Sequence, residues 1–162
     1  MALKIFMINP KKNLSKSGFT LIELMIVLVV IAVVASIATM SGLAARVRAN
    51  EGSAQVSLKT IAIGAEMYLN NFGAYPSNLA SFGADYVPSD LMSGQKSGYL
   101  FELRTGGGSA TYTATTVPMN INYTGVRSYC INNLNAISVY TNAPALTADG
   151  TNCPPGGALL SA

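Results

Sequence analysis

From Phe19 to Leu43 almost every position is apolar, and from Leu24 to Met40 there is no charge at all. Ser36 and Thr39 are the only polar side chains in that uncharged run. About 20 helical residues cross a ~30 Å hydrocarbon core, so Phe19–Leu43 is long enough to span a membrane. Beyond it the pattern changes without stopping. Leu43, Val47, Ala54, Leu58, Ile61, Ala65, Tyr68 and Phe72 recur at helical steps and form one stripe. Asn50 is the polar residue on that stripe, and Arg48, Gln55, Lys59 and Glu66 fall on other faces. Asn70-Asn71-Phe72-Gly73, followed by Tyr75-Pro76, supplies a stop. The pattern predicts one helix of roughly 50 residues, from Thr20 to about Asn71. Its first half is apolar all round, and its second half offers one face for a domain to pack on.

Residues 74–162 are rich in Gly, Ser, Thr and Asn, and long helical periods vanish. Residues 74–97 read as a connection with one short helix at most, near Ser77–Phe82. Short strand patterns follow at Tyr99–Arg104, Ala110–Thr116, Arg127–Ile131 and Ala136–Thr141. Gly106-Gly107-Gly108 lies between the first two and reads as a hairpin turn. A phosphate-binding loop is a poor fit, because no Gly-Lys-Ser/Thr follows it. Asn132–Asn135 reads as the next hairpin turn. The expected fold class is α+β, with a four-stranded antiparallel meander laid on the helical stripe.

Charge changes the picture at one end. The net charge of +3 is local, because Lys4, Lys11, Lys12 and Lys16 precede the apolar run without an acid among them. Without residues 1–18 the chain has six basic and seven acidic residues, and no basic patch points to nucleic acid. The lysines read as a topological signal that keeps the N-terminus in the cytoplasm and exports the rest. Arg46 and Arg48 oppose this weakly from the far flank, with Glu51 close by. Cys130 and Cys153 then fall in the exported part, where an even count favours a disulfide over two free or buried thiols. The chain has no histidine and its cysteine spacing fits no zinc pattern, so neither a metal nor a cofactor is expected.

Glu23 does not fit a plain apolar span. A carboxylate inside a span costs on the order of 2–3 kcal/mol at the centre and less near an end. An ordinary secretory signal or a simple anchor gains nothing from it. Ser36-Ile37-Ala38 and Gly42-Leu43-Ala44 are passable small-x-small cleavage sites, but the run is longer than a usual signal core. Lys16-Ser17-Gly18, then Phe19-Thr20-Leu21-Ile22-Glu23, then a long apolar helix, closely resembles the class III signal of type IV pilins and type II secretion pseudopilins. The resemblance covers about 25 residues and rests on a glycine, a phenylalanine and a glutamate at set spacings. It implies cleavage between Gly18 and Phe19 by a membrane aspartyl peptidase on the cytoplasmic side, and N-methylation of Phe19 by the same enzyme. It also implies a membrane-inserted precursor with a leader at 1–18, an apolar helix at 19–43, an amphipathic helix at 44–72 and a periplasmic head at 73–162.

After cleavage, Phe19 would carry a free amine and Glu23 would share its helix face. A first-turn carboxylate also faces the positive end of the helix dipole. In a filament, the Glu23 of one subunit could neutralise the amine of a neighbour and fix one axial register, which is how the family uses its glutamate. The competing reading is a glutamate that snorkels to the headgroups. The partners implied are further copies of the chain in a helical filament, the prepilin peptidase/methyltransferase, an inner-membrane assembly platform, and the membrane before assembly. The mature form is then expected in an extracellular pilus at the cell surface.

One departure and two alternatives accompany the resemblance. Many family members carry a helix-breaking glycine and proline in the second half of the apolar segment, but this chain has Ala32 and Met40 there. Local melting over 32–42 therefore gives way to an expectation of a more continuous helix. Joining Cys153 to the third expected strand at Cys130 would be worth about 3 kcal/mol in the chain-entropy model. One alternative is a type II secretion pseudopilin, whose major form resembles a shorter protein with an acid-lined calcium loop near its C-terminus. In this chain Asp149 stands alone there. The other alternative is a monomeric membrane-anchored exported binding domain. Catalysis is not expected, because Glu66, Asp85, Asp90, Glu102 and Asp149 are scattered without a paired spacing.

Overall fold

The computed structural model of the chain describes residues 18–141 and 146–160. The basic stretch with Lys4, Lys11, Lys12 and Lys16 lies outside the described residues. The chain divides into two compact units, Met1–Thr39 and Met40–Ala162. Helix α1, Leu21–Phe72, begins in the first and ends in the second.

In the first unit the described side chains from Phe19 to Ile37 are all exposed. The Ser36 hydroxyl donates to the Val33 carbonyl at 2.7 Å, which satisfies it inside the helix. Helical backbone runs through 32–42 without a break.

In the second unit α1 has a buried face. Ala54, Leu58, Ile61 and Ala65 are buried, Tyr68 is half-buried, and Leu43 and Phe72 at the two ends of the stripe are exposed. Glu51 also occupies this face and is buried, so Asn50 is not the single polar group there. Gly64 is buried because Tyr86 and Val87 cross over it. A Cβ at that position would stand 2.6 Å from Val87 Cγ2 and 2.7 Å from the Tyr86 carbonyl oxygen. The helix ends at a left-handed glycine, Gly73 (φ +72°), whose N–H donates to the Leu69 carbonyl at 2.7 Å.

The connection carries a 3-10 turn at Leu79–Ser81, capped by Asn78 and inside the range expected for a short helix. A second short helix, α2 (Ser89–Met92), was not expected. Among the described residues the sheet has six strands where the sequence pattern suggested four: β1 (Gln95–Lys96), β2 (Tyr99–Gly106), β3 (Thr111–Pro118), β4 (Arg127–Asn132), β5 (Ile137–Thr141) and β6 (Ala158–Leu159). The four central strands are the expected ones. The additions at the edges are two residues each, too short to show an alternating pattern. All neighbours are antiparallel, in the order of a simple meander. The β2–β3 turn uses Gly107, Gly108 and Ser109 at positive φ, and the β4–β5 turn uses Asn135.

One face of the sheet packs on α1 through Tyr99, Phe101 and Leu103 of β2, Tyr112 and Ala114 of β3, and Tyr129 and Ile131 of β4. The other face is covered as well. Thr113, Thr115 and Cys130 point to that side and are buried, beside Tyr140 and Leu146. The architecture is therefore a helix, a sheet, and an irregular C-terminal cover.

Candidate processing and assembly site

Gly18, Phe19 and Glu23 all lie in the first unit. Gly18 precedes the helix in irregular backbone with open space around it, and Phe19 is 85% exposed. Thr20 starts the helix: its Oγ1 accepts from the Glu23 N–H at 3.2 Å, and its carbonyl accepts from Leu24 N–H at 3.3 Å. That is an N-cap hydrogen bond, and Thr-x-x-Glu is the sequence signature of a capping box. Glu23 is therefore fixed in the first turn, where the helix dipole favours its charge. Phe19 and Glu23 flank one hollow of about 290 Å³ with Leu24 and Val27, so the two residues meet on one helix face. The capping role of Thr20 was legible in the sequence and went unread, because the apolar run beyond it dominated the pattern.

Cys130 and Cys153 lie in the second unit and are bonded, with Cα atoms 5.7 Å apart and a sequence separation of 23. The bond pins the C-terminal cover to β4 of the sheet. Other contacts hold the same cover. Tyr140 donates its hydroxyl to the Pro154 carbonyl, and Thr111 Oγ1 donates to the Gly150 carbonyl at 2.8 Å. Gly150 (φ +87°) passes so close to β2 that a Cβ there would collide with the Thr105 carbonyl. Asp149 Oδ1 accepts from the N–H groups of Thr151 at 2.8 Å and Asn152 at 2.9 Å. These backbone donors hold the Asp149 carboxyl below its usual range.

Glu51 is the residue that sequence reading passed over. Its Oε1 accepts from Val126 N–H at 2.9 Å and Arg127 N–H at 3.1 Å, and Oε2 lies 3.9 Å from Arg127 Nη1. The Asn50 amide beside it donates to the Thr124 carbonyl at 3.0 Å. Together they fasten the β3–β4 loop to α1. The signal was available: the stripe steps from Val47 by four to 51 and by three to Ala54. A carboxylate at a stripe position must find donors.

Residues 13–39 match the family model described as the prokaryotic N-terminal methylation motif. The chain therefore carries the type IV pilin/pseudopilin signal, followed by a long apolar helix. The motif implies processing by a prepilin peptidase and pilin-type assembly in general. The apolar start of α1 has the length and composition to cross a membrane and is consistent with a membrane-anchored precursor. No curated protein and no solved structure matches the chain.

Proposed function

We propose that the chain is the precursor of a structural subunit of a type IV pilus. It inserts in the inner membrane with its N-terminus in the cytoplasm and its head in the periplasm. A prepilin peptidase cuts after Gly18 and methylates Phe19. The mature chain then polymerises through α1 into an extracellular filament, on an inner-membrane assembly platform. The subunit acts as structure and not as an enzyme.

The observation that carries this reading is the matched motif at residues 13–39 leading into a helix whose described apolar side chains up to Ile37 are exposed. An apolar surface of that extent in water needs lipid or other helices to cover it. The exchange of lipid for neighbouring copies is the assembly step. Phe19 and Glu23 on one face support a pairing of the Glu23 carboxylate with the Phe19 amine of a neighbour. Pairing them across copies offsets two desolvation costs at once.

The pilin reading is preferred to a type II secretion pseudopilin on the C-terminal region. That region is tied by Cys130–Cys153 and has one acid, Asp149, whose carboxylate is engaged by its own loop. The experiment is to shear surface filaments from cells and determine the N-terminus of their subunit. The proposal expects a subunit that starts at Phe19 and carries one methyl group. Filaments without this chain, or an intact Met1–Gly18 leader in cells with an active peptidase, would overturn it.

A further inference from the structure

The charged groups of the second unit sort into paired and unpaired sets. Lys96 pairs with Asp90 at 3.0 Å, Arg104 with Glu102 at 2.6 Å, and Arg127 with Glu51 at 3.9 Å. Among the described residues Arg46, Arg48 and Lys59 form no ion pair, and neither do Glu66, Asp85 and Asp149.

The unpaired groups are separated along α1. Arg46 and Arg48 stand where the helix enters the unit. The acids stand at the other end. Glu66 accepts from the Tyr75 hydroxyl at 3.0 Å, just past the helix end. Asp85 precedes Tyr86, whose ring lies 6.1 Å from Phe72 and whose hydroxyl accepts from Asn71 Nδ2 at 2.8 Å. Asp149 is joined through Gly150 and Thr111 to the β2–β3 turn, and Ser109 in that turn accepts from Tyr75 N–H at 3.0 Å. One pole is cationic, the other anionic, and Lys59 lies between.

Apolar shape follows the same division. At the anionic pole Phe72, the last residue of α1, is 62% exposed and stands on Tyr68 at 4.4 Å. At the cationic pole a groove of about 680 Å³ opens between α1 and the β3–β4 loop. Leu43, Val47 and Val126 supply its apolar lining; of its charged residues Glu51 and Arg127 are paired with each other, which leaves Arg48 as the unpaired charge.

We propose that the cationic pole of one copy docks on the anionic pole of a second copy of this chain. The groove receives Phe72 of the second copy while Arg48, which lines it, faces the Asp85 of that copy. The occupant is a copy of the same chain because the complementary charges and the exposed ring are both supplied by this chain. The two patches differ, so the contact is heterologous and propagates as an open row. From Val47 to Phe72 at 1.5 Å per residue, successive heads along that row repeat at about 37 Å. This inference rests on the reading of the chain as a filament subunit.

The test is an engineered cross-link in filaments. Arg48→Cys and Phe72→Cys are combined in one chain, expressed as the only copy, and surface filaments are oxidised mildly and run without reductant. A ladder of dimer, trimer and higher species is expected, with each single variant staying below trimer. A double variant that forms filaments but remains monomeric overturns the inference and leaves the filament reading standing. Absence of this chain from filaments of wild-type cells overturns both. If the cysteine pair does not assemble, charge exchange decides. Asp85→Arg alone should lower filament yield about tenfold, since like charges then face each other. Adding Arg48→Asp to Asp85→Arg should restore most of the yield. No loss with Asp85→Arg, or no recovery in the charge-exchanged variant, overturns the docking.

Discussion

Leu28 and Leu58 lie on the same helix, yet the first is 56% exposed and the second is fully buried. The residues around Leu58 alternate apolar and polar with the helical period, so the chain's own sheet can cover one face and water the other. The residues around Leu28 are apolar on every side, and no face is fit for water. The chain completes the burial of the second half by itself and leaves the first half to lipid or to other copies. The small capping system at Thr20 and Glu23 belongs to this uncovered half. Its carboxylate is costly in lipid, and the proposed pairing with a neighbour's amine would offset that cost.

Truncation should separate the two halves most strongly. Leu58→Ala removes buried methyl groups and should destabilise the head by about 3 kcal/mol in detergent-solubilised protein. Leu28→Ala should leave the head's thermal unfolding unchanged, since nothing in the head depends on it. Equal effects of the two changes would erase the contrast between the two halves of α1.

Cys130→Ser should come next, at about 3 kcal/mol or slightly less, because it frees a loop of 23 residues. Proteolysis of native protein should then cut first within the C-terminal cover, residues 146–157, and leave α1 intact. Glu51→Ala should cost about 2 kcal/mol, since two backbone donors of the β3–β4 loop lose a charged acceptor. Hydrogen exchange at Val126 and Arg127 should speed up more than elsewhere in the head. A uniform change across the head would point to a role other than fastening that loop.

The smallest effect concerns pH. The Asp149 carboxyl is held below its usual range in the folded chain. A lowered folded value means that its contribution is fully present above the unfolded value of about 3.9 and is lost as pH falls through the folded one. Exchange at Thr151 and Asn152 should therefore rise below about pH 4, and Asp149→Asn should show the faster exchange at neutral pH. Because the side chain is solvent-exposed, global stability should barely move.

The sequence made the helix, its end, the four central strands, the two glycine- and asparagine-marked turns and the motif residues legible. Each of these is written in a period or a short signature. Strands β1 and β6 were not legible, because two residues carry no period. The cover over the second sheet face was not legible either. Thr113 and Thr115 are buried there although threonines on a strand read as solvent-facing. Their burial is set by Leu146, Asp149 and Gly150, which arrive from an irregular segment far along the chain. Glu51 was hidden by its residue type, because a charged residue on an apolar stripe reads as an interruption until its donors are seen.

The claim that the uncovered half of α1 serves assembly is tested most directly by Glu23→Val. The change makes the span more apolar and leaves Gly18 untouched, so insertion and cleavage should continue. In an apolar bundle the neighbour's Phe19 amine would lose its partner, and breaking such a buried pair typically costs about 3–5 kcal/mol. With Glu23→Val as the only copy, processed protein should be present in the membrane and surface filaments should be absent or scarce by electron microscopy. Filaments of normal number and length would contradict the account.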